Sequence, residues 1–208
     1  MKTLATGRRL GRRLLNLYLG LVLFGASCGM IVASGLGLGP WDVFHQGVSR
    51  RIGISLGWVV VGVSFLVLLF WIPLRQRPGL GTISNAVLVG IMIDVTLSFL
   101  NQPETLAGQV GLLVGGVVGT GIGTGLYIGA GLGPGPRDGL MTGLAARGHS
   151  IRVVRTVLEL SVLALGWWLG GTVGVGTLVF ALAIGPLAHI FIPLLAVEIP
   201  AGVDGEAR

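Results

Sequence analysis

Charge is scarce in this chain. Only 11% of its 208 residues are Asp, Glu, Lys or Arg, less than half of the roughly 25% that a soluble globular domain carries. That shortage excludes a water-solvated globule and a disordered chain. It also excludes a nucleic-acid surface, because the few basic residues lie between apolar stretches and not along one face. Cysteine is nearly missing too: Cys28 stands alone, so no intramolecular disulfide exists and Cys28 is expected to pack. Catalytic signatures are absent as well. There is no HExxH, CxxC, GxSxG or Walker-type loop, and the glycine-rich loops lack the lysine and the preceding strand that phosphate-cradling loops need. The expectation is a protein that is not an enzyme and holds no metal or cofactor.

What the chain has is apolar length. It is 52% hydrophobic, with a mean hydropathy of +0.89. A helix needs about 20 apolar residues to cross about 30 Å of hydrocarbon. Six stretches qualify, at 14–34, 56–74, 82–100, 109–130, 153–171 and 177–197. They do not alternate, and an open sheet cannot satisfy its edges in lipid, so the predicted fold is an all-α bundle of six transmembrane helices. Lys2, Arg8, Arg9, Arg12 and Arg13 before Leu14 resemble the basic region of a secretory signal, and Gly25 to Cys28 a degenerate cleavage box. The apolar run continues past that box, however, and is read as an uncleaved first span.

Placing the N-terminus in the cytoplasm puts 12 of the 14 Lys and Arg residues inside and leaves Arg50 and Arg51 outside. Both termini are then cytoplasmic. The organisation reads as a basic N-terminus at 1–13, a first membrane unit at 14–100, a connecting loop at 101–108, a second unit at 109–197 and a tail at 198–208.

The two units repeat. At an offset of 96, Gly35, Leu36, Gly37, Gly39, Pro40, Asp42, Gly47 and Arg51 meet Gly131, Leu132, Gly133, Gly135, Pro136, Asp138, Gly143 and Arg147. At an offset of 95, Gly53, Ser55, Gly79, Gly81 and Thr82 meet Gly148, Ser150, Gly174, Gly176 and Thr177. Each unit holds three spans plus one short segment. An odd number of spans turns the second unit upside down, which is the inverted-repeat plan common in transporters.

The six-span layout and the two GLGxGPxD loops, Gly35 to Asp42 and Gly131 to Asp138, resemble the YczE group of the YczE/YyaS/YitT bacterial membrane proteins. The resemblance runs from about Leu14 to Val197. It implies a multi-pass integral protein of the bacterial cytoplasmic membrane and supplies no catalytic residues.

Glycines at 35, 37 and 39 followed by Pro40 and Asp42 make a helix N-terminus, and the following helix ends at Arg50 and Arg51. Two readings stand. The short helix lies in the interface with Trp41, Phe44 and Val48 on its apolar face, or it is re-entrant and its N-terminus reaches the bilayer centre. In the second case Pro40, Asp42, Pro136, Arg137 and Asp138 line a solute pathway, since opposed helix N-termini attract anions or polar groups.

Within the spans, Asp94 and His189 occupy equivalent positions and are candidates for proton coupling or for a mutual hydrogen bond. Arg152, Arg155 and Glu159 share one helix face and suggest an ion pair. His45 and His149 are expected to be solvated at helix ends. Gly25 and Gly29 in the first span, and Gly121, Gly125 and Gly129 in the fourth, form small-residue ridges on which these two spans are expected to cross. Gly111, Gly115 and Gly119 form a second ridge, for internal packing or a homodimer. The expected function is a secondary transporter or facilitator of a small polar or anionic solute. The competing expectation is a scaffold that binds another membrane protein through its glycine-rich faces.

Overall fold

The computed structural model describes residues 2–197, with side chains from residue 10 onward. The expected cytoplasmic tail at 198–208 and the side chains of Lys2, Arg8 and Arg9 lie outside the described residues. The described residues form eight helices and contain no strand: α1 (Lys2–Ser34), α2 (Pro40–Ile52), α3 (Leu56–Leu74), α4 (Leu80–Phe99), α5 (Leu106–Gly129), α6 (Pro136–Ala145), α7 (Ile151–Trp168) and α8 (Val175–Leu195). Five are long and apolar enough to cross a membrane: α1 from Leu10, α3, α4, α5 and α8. The sixth expected span is α7. Its 18 residues include Arg152, Arg155 and Glu159, which set it apart in composition.

Local chemistry explains the two short helices. Gly39 and Gly135 hold nearly identical extended conformations (φ −61°, ψ 154° and φ −62°, ψ 159°), and Pro40 and Pro136 each open the helix that follows. Proline suits this place because its missing N–H has no intrahelical partner there. In α2, Arg50 and Arg51 fill the last turn and Gly53, left-handed at φ 71°, ends it.

The central axis is the contact between α1 and α5, the most extensive in the molecule. It is built on other glycines than the ridges expected. A Cβ on Gly20 would fall 2.6 Å from the Tyr127 nitrogen, and one on Gly123 would fall 2.8 Å from the Phe24 nitrogen, so here backbone lies directly on backbone. Gly116 and Gly119 pack on Ser27 and Ile31 of α1. The expected ridges face elsewhere: Gly25 and Gly29 lie against Val89, Met92 and Thr96 of α4, and Gly121 and Gly125 against Leu187 and Phe191 of α8. Gly129 sits against Ala196 just beyond α8. The small residues thus serve contacts inside each half, because a helix wedged between two neighbours needs a glycine face towards each.

The repeat spacing reappears as reciprocal bonds between the halves. The Gly81 N–H donates to the Leu132 carbonyl at 2.8 Å, and the Gly176 N–H donates to the Leu36 carbonyl at 2.8 Å. Arg147, near the end of α6, donates to the Pro73 carbonyl at 2.5 Å, and Arg51, at the end of α2, donates to the Leu169 carbonyl at 3.4 Å. Each half therefore covers exposed carbonyls at the end of the other half's long helix. The loops need glycine for this: Gly37 and Gly133 hold φ +114° and +117°, and each abuts the turn that begins a helix of the opposite half.

One pair of contacts is not reciprocal. In the first half α3 packs on α4 with Gly57 against Gly90. In the second half α7 and α8 scarcely touch, and a Cβ on Gly185, the counterpart of Gly90, would meet nothing within 4 Å. The cause is in the sequence: Arg152 stands where the first half has Gly57, and an arginine cannot sit backbone to backbone.

Candidate functional site

The short helices begin in the middle of the molecule. Pro40, Trp41, Asp42, Val43, His45 and Gly47 are all buried, so α2 has no solvated face of the kind an interfacial amphipathic helix keeps. In α6, Pro136, Gly139, Leu140, Met141 and Gly143 are buried as well. Trp71 of α3 donates its indole N–H to the Pro136 carbonyl at 3.0 Å, and Thr82 of α4 donates to the Pro134 carbonyl at 2.8 Å. The α6 entrance is therefore fixed by the first half of the chain.

The two N-termini meet at a cavity of about 220 Å³ to which all eight helices contribute. Pro40, Asp42, Pro136, Arg137 and Asp138 all line it. Arg137 spans the join: a guanidinium nitrogen lies 3.6 Å from Asp42 Oδ1, and its carbon lies 5.2 Å from the centre of a Trp41 ring. Asp42 also takes a hydrogen bond from His45 Nδ1 at 3.3 Å. Burial pushes the Asp42 carboxyl up, but the His45 bond and the Arg137 charge outweigh burial and hold it below the usual carboxylate range. Burial drives the His45 imidazole down to about 4, with Arg137 adding to the shift and Asp42 opposing it. The ring is thus neutral at pH 7, donates Nδ1–H to Asp42, and leaves Nε2 buried without a partner among the described residues. His45 was expected at a solvated helix end and is instead fully enclosed. His149, its companion in that expectation, is exposed.

The other carboxylate has different company. Asp138 Oδ2 accepts a hydrogen bond from the Tyr127 hydroxyl at 2.8 Å. Asn85 also lines the cavity here, with Ser64, Thr120 and Thr124 elsewhere on the wall. Sequence reasoning missed these neutral groups because it followed only ionisable residues. The signal was available: Asn85 and Tyr127 are polar interruptions inside apolar spans. Arg155 and Glu159 line the side of the cavity towards α7 and form the expected ion pair at 2.9 Å; Arg152 is exposed and stays outside it.

Asp94 and His189 are not brought together. Asp94 accepts from the Ser55 hydroxyl at 2.5 Å and from the Gly57 N–H at 2.7 Å, capping the start of α3. His189 is exposed. Neither lines the cavity, so the expected mutual bond does not form. The reason is that α4 packs on α1 and α8 on α5, so the two side chains lie on different flanks of the central helix pair.

The model of a family of unknown function, DUF6198, matches residues 11–193. The chain belongs to this family. An "Uncharacterized protein" of Haemophilus influenzae is 41% identical to it over 177 residues, covering 85% of this chain and 81% of that protein. The "Uncharacterized membrane protein YczE" of Bacillus subtilis is 34% identical over 180 residues, covering 85% and 83%. The "Uncharacterized protein YyaS" of the same organism is 29% identical over 184 residues, covering 85% and 90%. No solved structure matches the chain. The resemblance drawn from the two loops is thus shown across the membrane region, and the family is one of membrane proteins.

Proposed function

We propose that the chain is a carrier for a small polar solute in the bacterial cytoplasmic membrane. In this reading α1, α3, α4, α5, α7 and α8 cross the bilayer as two inverted units, α2 and α6 are re-entrant, and both termini are cytoplasmic. The observation that carries the reading is the cavity. A molecule with so little charge places Asp42, Arg137, Asp138, Arg155 and Glu159 around one central space. Charge within a membrane protein is costly and marks a solute or ion path, and opposed helix N-termini near the middle are the usual architecture of such a path. The volume, below the 300–1,000 Å³ or so of sites for drug-sized ligands, suits a small metabolite.

The reading as a scaffold is less well supported. The ridges it relied on, Gly25 and Gly29 with Gly121 and Gly125, are covered by α4 and α8 and offer a partner nothing. Of the second glycine ridge, Gly119 is packed on Ser27 and Gly115 on Met30 of α1, which leaves only Gly111 of that ridge open to a partner. The test is uptake of a metabolite mixture into vesicles holding the purified chain. Asp42→Asn and Asp138→Asn should each accumulate normally and lose solute movement. Undiminished movement in both variants, or no movement of any solute by the wild type, would sink the carrier reading.

A further inference from the structure

The charges around the cavity are unequally matched. Arg137 is committed to Asp42 and to the Trp41 ring, and Arg155 to Glu159. Asp138 forms no ion pair among the described residues. Around it the groups converge: a methyl placed on Gly135 would lie 3.2 Å from Asp138 Oδ2, 3.3 Å from the Tyr127 hydroxyl and 3.4 Å from the Asn85 amide nitrogen. The half charge at each helix N-terminus already faces a carboxylate in its own first turn, Asp42 in α2 and Asp138 in α6. An anion therefore finds no full positive charge that is not already paired, whereas a cation finds one carboxylate, Asp138, that is in no ion pair among the described residues. The part of the wall that α8 supplies is apolar. Phe180, Ile184, Ala188 and Ile192 line it from α8 at a spacing of four residues, one continuous stripe, beside the gap that separates α8 from α7.

Resting on the carrier reading, we infer that the cavity takes a monocationic amine with a short apolar tail. The ammonium sits on the Asp138 carboxylate and the Tyr127 hydroxyl oxygen, and the tail lies along the α8 stripe. This removes the anionic half of the expected solute range.

The test is titration calorimetry on the full chain in lipid nanodiscs, with empty nanodiscs subtracted, using n-butylammonium, n-butyrate and n-butanol. n-Butylammonium should bind at least about tenfold more tightly than either isostere, and Asp138→Asn should remove about that factor. Methylammonium should bind more weakly than n-butylammonium, because it leaves the stripe uncovered. Where Asp138→Asn fails to fold, Asp138→Glu should keep amine binding and Tyr127→Phe should weaken it severalfold. Amine binding unchanged by Asp138→Asn, unchanged in both substitute variants, absent altogether, or weaker than that of n-butyrate overturns the inference. Amine binding without uptake into vesicles leaves it standing and sinks the carrier reading; uptake of a carboxylate instead leaves the carrier and sinks the amine.

Discussion

Asp42 and His45 show how one turn of helix decides the ionisation of a buried pair. His45, held at about 4, carries no proton at neutral pH, whereas in the unfolded chain it takes one up near 6.5. The folded state therefore binds fewer protons than the unfolded state, and stability rises with pH across this range. The contribution is complete above about pH 6.5 and declines towards pH 4; Asp42, held low, adds to the loss at still lower pH. The melting midpoint of the purified protein should fall as pH drops from 7 to 4.5, by an amount equivalent to at most about 3 kcal/mol for His45. His45→Gln should flatten that slope, as followed by light scattering or tryptophan emission during heating. Asp94 is a different case. It accepts two hydrogen bonds at the start of α3, so Asp94→Asn should cost roughly 1–2 kcal/mol of stability and, on the carrier reading, leave any pH dependence of vesicle uptake as it was. A loss of that dependence with stability intact would restore Asp94 as a coupling group.

At the scale of the element, the apolar runs were readable to within a few residues. The stretch 56–74 is α3 without change, 82–100 and 177–197 differ from α4 and α8 by two residues or fewer at each end, and 14–34 shares its end with α1, which begins twelve residues earlier at Lys2. Periodic apolar length is a local property and needs no knowledge of neighbours. Facing is not local, and there the sequence misled. Gly25 of α1 and Gly123 of α5 both sit among small residues, but only Gly123 lies in the contact between α1 and α5, while Gly25 faces α4. A small-residue ridge says that something approaches, not what. Gly123→Leu should therefore prevent accumulation of the protein in the membrane, since the displaced atoms are the Phe24 and Gly20 backbone. Gly111→Leu should be accepted, because a Cβ there meets nothing within 4 Å; immunoblots of membrane fractions distinguish the two. The short helices were legible as starts and stops through Gly39, Pro40 and the terminal arginines. Their burial was not, because Trp41, Phe44 and Val48 read equally well as a lipid-facing stripe.

For the molecule as a whole, the duplicated loops carried most of what the sequence disclosed about the site. Asp42 and Asp138 were found because the same residue recurs in two unusual loops, Arg137 because it stands beside the second, and the structure brings all three to one cavity. Tyr127 and Asn85 were passed over because they come from long helices with no motif around them. The departure from symmetry was legible in principle, since Arg152 replaces Gly57 and His189 replaces Asp94. Its result, a seam between α7 and α8, depends on how close those helices would otherwise come.

The crossed arginines have a bearing on how the protein is made. Until Leu169 and its neighbours have been synthesised, Arg51 has no carbonyl to meet, and the carbonyl of Pro73 waits for Arg147. A ribosome that has released only the first hundred residues has thus inserted a unit that cannot yet finish its own ends. Expressed alone, either half should be degraded quickly; produced together as two polypeptides, they should rescue each other and co-elute. Survival of the first half by itself would show that its completion is already intramolecular.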